Sequence, residues 1–156
     1  MMKGISRTVV LLVLLVGIWG GAAANAITLT GSNVKNNSLQ IPTEGISSQA
    51  KFFPFTVDGM AMEVFVVKAS DGTYRTAFNT CQVCYNSGRG QYTQQGDVMV
   101  CGNCGNRFKV DQIEKQKNGC NPIPISLPYK TEKNGVITIG NEILEAAKPV
   151  FAKWKR

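Results

Sequence analysis

CQVCYNSGRGQYTQQGDVMVCGNCGNRF, residues 81–108, is the stretch that decides the fold. It carries two C-x-x-C pairs, Cys81/Cys84 and Cys101/Cys104, in a chain of 156 residues with no histidine. A C-x-x-C turn sets two sulfurs on one side of a tight loop, where backbone N–H groups can point at thiolate charge. Between the pairs, Gln91–Thr93 and Val98–Val100 flank Gln95-Gly96-Asp97, which predicts a hairpin. Gly88 and Gly90 after the first pair, and Gly102 and Gly105 around the second, permit the tight backbone. The spacing matches that of tetrahedral four-thiol metal sites. Such a site suits zinc or iron, iron–sulfur clusters included.

A fifth cysteine, Cys120, follows in the run NGCNPIPI. Its functional reading is an extra ligand, or a redox-active thiol beside the metal. Its bland reading is a small packed residue in a tight turn. Disulfides compete with metal for all five thiols, although an odd count leaves one thiol over. A dithiol oxidoreductase ranks last, because no βαβ pattern surrounds either pair.

Outward from this stretch the chain reads as mainly β. KFFPFTV and AMEVFVVK flank the turn Asp58-Gly59, and Asp71-Gly72 leads into TYRTAF. PISLPYKTEKNGVITIG gives a second strong hairpin around Asn134-Gly135. Residues 51–140 therefore read as one cysteine-rich metal-binding domain. Residues 141–156 read as a basic amphipathic helix with Asn141 as its N-cap and a break at Pro149. Ile143, Ala147, Val150, Phe151 and Trp154 line one side of it, as core packing requires. Residues 27–50, rich in Ser, Asn, Thr and Gly, read as a linker.

Residues 1–26 carry a basic start, an apolar run and the small-residue end Ala24-Asn25-Ala26. That pattern predicts a signal peptide cleaved after Ala26. A membrane anchor is the competing reading, since Val9 to Ile27 is apolar or small apart from Asn25. Either reading exports the rest of the chain. The segment has no twin arginine, so general secretion of an unfolded chain is expected.

The formal charge is +7, and +5 without Lys3 and Arg7. The basic residues are scattered except for Lys148, Lys153, Lys155 and Arg156. They form no basic stripe with interleaved aromatics, which argues against nucleic-acid binding.

TAFNTCQVCYNSGRG, GDVMVCGNCGNRFKVDQI and NGCNPIPI together resemble the FtrD-like family of membrane-associated iron–sulfur proteins linked to iron uptake. The resemblance covers about residues 49–139. A remoter similarity is to the Rieske fold. Cys101-Gly102-Asn103-Cys104 with Phe108 is similar to its second metal loop, and Asn121-Pro122-Ile123-Pro124 to its covering proline loop. The resemblance implies a Rieske-like antiparallel β domain with two C-x-x-C loops, a C-terminal helix and an N-terminal hydrophobic segment. In it, Cys84 and Cys104 stand where Rieske domains have histidines. Without histidine the mixed ligation of a Rieske centre is impossible, and all-thiolate ligation implies a lower potential.

These readings predict Cys81, Cys84, Cys101 and Cys104 as metal ligands, with Cys120 as a fifth cofactor-binding residue. The cofactor expected is an iron–sulfur cluster or iron, with zinc as the alternative. The function expected is extracytoplasmic electron transfer or iron handling, in the periplasm or on the outer membrane face, beside a membrane-associated redox or transport partner. The chain offers no obvious carboxylate pair near the cysteines, so a non-catalytic role is expected. A zinc-knuckle structural module is the runner-up.

Overall fold

The computed structural model describes residues 27–117 and 119–155. The expected signal or anchor, 1–26, lies outside the described residues, as does Arg156 of the basic cluster. Among the described residues no helix is long and apolar enough to cross a membrane.

Among the described residues twelve strands dominate. They are β1 (Leu29–Thr30), β2 (Val34–Lys35), β3 (Ser38–Pro42), β4 (Lys51–Val57), β5 (Met60–Lys68) and β6 (Tyr74–Cys81). Then follow β7 (Tyr92–Gln95), β8 (Val98–Cys101), β9 (Arg107–Lys109), β10 (Pro122–Pro124), β11 (Lys130–Lys133) and β12 (Val136–Gly140). Two short α-helices follow among the described residues, α1 (Asn141–Ala146) and α2 (Lys148–Phe151). The strands form three antiparallel sheets in the orders β1-β4-β5-β6-β10, β11-β12-β3-β2 and β7-β8-β9.

Turn chemistry sets the hairpins. Asp58-Gly59 joins β4 to β5 with φ of 50° and 79°, and Asn134-Gly135 joins β11 to β12 with φ of 52° and 71°. Two successive positive φ values match the twist of an antiparallel pair.

The five-stranded sheet is covered on both faces, because alternate residues of a strand point to opposite sides. On β5, Met62, Val64 and Val66 enter one core, while Phe65 and Val67 enter another. On β6, Phe78 joins the first core, and Ala77 and Cys81 the second. The first core is closed by Leu39 and Ile41 of β3, Ile137 and Ile139 of β12, and Leu144 and Phe151 of the helices. The second packs against the β7-β8-β9 sheet through Tyr92, Met99 and Phe108.

Two expectations need correction. The stretch 27–50, read as a linker, contributes β1, β2 and β3. Its polar composition hides the alternation of Ser-Leu-Gln-Ile-Pro, which pairs with β12 and leaves Leu39 and Ile41 fully buried. The helix start is also displaced. Asn141 is its first residue rather than its N-cap, because β12 stays paired through Gly140, which takes the cap position with no side-chain cap bond. Pro149 does divide the segment, standing at the start of α2. The terminal aromatics pack inward, with Phe151 edge-on to Phe78 at 5.8 Å and to Trp154 at 5.3 Å.

Because Ile41 lies in the core, Ile41→Ala should destabilise the protein by about 2–5 kcal/mol in urea unfolding. A linker position would show no change.

Candidate metal centre

Each cysteine is placed by an identifiable element. Cys81 is the last residue of β6, and strand alternation turns it into the second core. Cys84 follows at the entry to a single 3-10 turn, Tyr85–Ser87. Cys101 ends β8 opposite Tyr92 of β7. Cys104 sits in the next turn, which is closed by the Gly105 N–H donating to the Cys101 carbonyl at 2.9 Å. Cys120 precedes β10, whose Pro122 pairs with Cys81.

The two C-x-x-C loops meet backbone against backbone. The Gly102 N–H donates to the Gln91 carbonyl at 2.8 Å. A side chain at Gly102 would put its Cβ 2.9 Å from the Arg89 oxygen, and one at Gly90 would lie 2.7 Å from the Cys84 oxygen. Nothing larger than glycine fits either position. Asn79, two residues before Cys81, fixes the hairpin by accepting the Tyr92 N–H at 2.7 Å and donating to Glu63.

All five predicted cysteines converge, and all are free thiols. Cys81, Cys84 and Cys101 have sulfurs within 4.8 Å of one another, and so do Cys84, Cys104 and Cys120. Cys84 belongs to both triads, and its sulfur lies 3.8 Å from that of Cys120. Cys81 and Cys101 are fully buried, Cys84 nearly so, Cys120 is half-buried and Cys104 is exposed. The centre thus has a dry inner side and a wet outer side.

The electrostatics match that division. Burial pushes the Cys101 thiol up to about 12, against backbone N–H groups of Cys104 and Asn103 that lower it. Burial likewise raises Cys84 to about 11, opposed by a hydrogen bond from the Asn103 side chain. At Cys81 burial acts upward too, but the Tyr92 hydroxyl and the N–H groups of Cys84 and Val83 outweigh it, and the thiol is lowered. Cys104 is lowered chiefly by the Asn106 N–H. Contact with Cys104 raises Cys120 to about 11.

Two thiolates about 4 Å apart repel by about 4 kcal/mol at an effective dielectric of about 20. Three in a buried triad therefore cannot all ionise without a cation between them. With one, the arrangement is an all-sulfur donor set of the kind that suits zinc, iron or an iron–sulfur cluster. The residues present fit such a group.

Tyr92 adds a donor. Its hydroxyl is buried with no hydrogen-bond partner among the described residues. Burial, and then the neighbouring Cys81 thiol, drive its pKa strongly upward, so it stays protonated beside Cys81. Asn103 turns its amide to Cys84, while its Oδ1 accepts from Arg89 at 3.3 Å. Asn106 donates to the Cys120 carbonyl at 2.6 Å. The cysteine spacing did not reveal Tyr92, Asn79, Asn103 or Asn106. The available signal was a set of hydrogen-bonding side chains inside, between and two residues beyond the C-x-x-C pairs.

Residues 46–151, which include all five cysteines, match a family model described as "Membrane iron-sulfur containing protein FtrD-like". No curated protein and no solved structure matches the chain.

Gly102→Ala should force the second C-x-x-C loop away from Arg89 and Gln91, which follow the first. The expected cost is about 1–3 kcal/mol of stability, with weakened metal uptake, read by thermal unfolding with and without metal.

Proposed function

The chain belongs to the FtrD-like family of membrane iron–sulfur-containing proteins, and we propose that it is an extracytoplasmic electron-transfer or iron-handling protein built around a binuclear iron–sulfur centre. One observation carries this reading. The five thiols fall into two triads that share only Cys84, and no four of them form one group. A single tetrahedral ion with metal–sulfur bonds of about 2.3 Å draws four sulfurs to about 3.8 Å from one another. Two overlapping triads favour two metal positions instead.

Cys81 and Cys101 would hold the inner position, and Cys84 and Cys104 the outer one. This division agrees with a Rieske-like layout in which cysteines stand in for both histidines. When bound, such a centre supplies one-electron exchange. The chain's own groups shape it. Tyr92, Asn103 and the backbone N–H groups around Cys81 and Cys104 donate to the sulfurs and spread their negative charge. The apolar packing of Phe65, Met99, Phe108 and Ile113 keeps water from the inner side. Exposed Cys104, flanked by Arg89 and Arg107, is the edge open to a membrane-associated partner.

The full chain, isolated without oxygen, should be coloured and contain about two irons and two acid-labile sulfides, with a potential nearer about −400 mV than the Rieske range. A colourless protein containing zinc would overturn the iron reading in favour of a structural zinc module. Cys81→Ser and Cys101→Ser should each lose nearly all metal and unfold at lower temperature, because binding and folding are coupled at a buried site. Tyr92→Phe should keep the metal but lower the reduction potential, since Cys81 loses the donor that withdraws its charge. Voltammetry on the two proteins checks this.

A further inference from the structure

The centre gathers one thiol more than it needs. A binuclear iron–sulfur centre takes four terminal thiolates, and five converge here. The surplus lies wholly on the outer side. Cys81 and Cys101 are 0% and 1% exposed, and neither belongs to the outer triad. The outer position has three thiols within reach of one another, Cys84, Cys104 and Cys120.

Cys120 is held there deliberately. Its loop is tied to the second C-x-x-C loop by the Asn106 amide, which donates to the Cys120 carbonyl at 2.6 Å. It is tied to the first by the Gln82 N–H, which donates to the Asn121 carbonyl at 3.1 Å. Asn121 is buried and donates to the carbonyls of Gln116 and Pro122. A cysteine serving only to pack would be enclosed. Cys120 instead borders an open cleft with Cys104, Gly105, Asn106, Arg107 and Gly119.

We propose that the outer metal position is served by interchangeable thiols, Cys120 entering as Cys104 leaves, so that the outer metal is loaded and released at the surface while the inner one stays held. The inference rests on the two-position reading above. The exchange is not a redox step. One metal–sulfur bond would form at Cys120 Sγ as one breaks at Cys104 Sγ; release to a chelator would then replace the metal's remaining bonds, to Cys84 and to bridging sulfide, with bonds to the chelator, the freed thiolate and sulfide taking protons from water. The proton leaving the Cys120 thiol passes to the departing Cys104 thiolate, directly or through water, and no electron moves. Cys104 is the leaving ligand because it is exposed, whereas Cys84 is 8% exposed and belongs also to the inner triad. The spacing of the two pairs alone made Cys104 obligatory. The geometry makes it replaceable.

The test compares the full chain with Cys104→Ser, Cys120→Ser and the double variant, each loaded without oxygen. Metal per chain and the rate of metal loss to an iron chelator are measured. Each single variant should keep the wild-type metal content, and the double variant should lose one of its two metals. Cys120→Ser should also slow release of the first metal several-fold. Loss of the outer metal from Cys104→Ser alone would overturn the proposal, because Cys120 then cannot stand in. Loss from Cys120→Ser alone would overturn it too, by making Cys120 an obligatory ligand. A wild type with one metal per chain would remove the second position and the exchange with it. If a serine variant does not fold, alkylation of the loaded wild type decides. Cys120 should be modified without metal loss, and blocked thiol should then slow chelator release; a Cys120 that resists alkylation counts against exchange. Iron and sulfide content of the wild type tests the iron–sulfur reading separately. Two zinc ions would sink that reading while the variant pattern still decided the exchange.

Discussion

The two-residue period of β5 and β6 is the constraint on which the rest of the molecule depends. It sends Val64, Val66 and Phe78 to one face and Phe65, Val67, Ala77 and Cys81 to the other. A slip of one residue in β6 would exchange these sets and turn Cys81 away from its partners. The metal side is therefore positioned by apolar packing on the opposite face. Seven paired positions along β4 and β5 and five along β5 and β6 hold that register.

Convergence of the thiols has a second requirement, which is close approach of two loops that have little reason to touch. Sulfurs a few ångströms apart repel once ionised, and burial makes ionisation costly. Gly102 lets the two backbones meet, Gly90 lets the first loop fold closely on Cys84, and Asn79 and Asn106 lock the hairpin and the Cys120 loop in place. The donors that face the sulfurs offset part of the charge. A third tie acts at the base of the Cys120 loop, where Lys130 of β11 pairs with Glu114 at 2.5 Å, both largely shielded from water. That pair joins the closing hairpin to the loop carrying the fifth thiol. Because removing one partner would strand a buried charge, it restrains the loop more than an exposed pair would.

Much of this was legible in the sequence. The hairpins announced themselves through Asp58-Gly59 and Asn134-Gly135, whose conformations only a few residue types favour. The cysteine spacing named four of the thiols that converge, and the resemblance added Cys120. β3 was missed because Ser-Leu-Gln-Ile-Pro alternates for only five residues within a polar surround, and its burial depends on β12, nearly a hundred residues away. The helix start was misplaced by one residue because strand pairing, a tertiary effect, overrode the capping preference of Asn141. The division of the thiols into two triads was not legible at all. It follows from where three loops stop, and spacing does not encode that. Tyr92 lay inside the predicted hairpin with no role of its own, and its buried, unpartnered hydroxyl beside Cys81 is what singles it out.

The sheet with two covered faces has a consequence for damage at the centre. The core formed by β3, β12 and the two helices contains no cysteine, so its packing asks nothing of a metal. The other core contains Cys81, Cys84 and Cys101 among its buried members and has Cys120 packed against it. Strain or oxidation at the thiols would therefore be felt on one face of the shared sheet, at the end of β6, while the packing on the other face is left as it was.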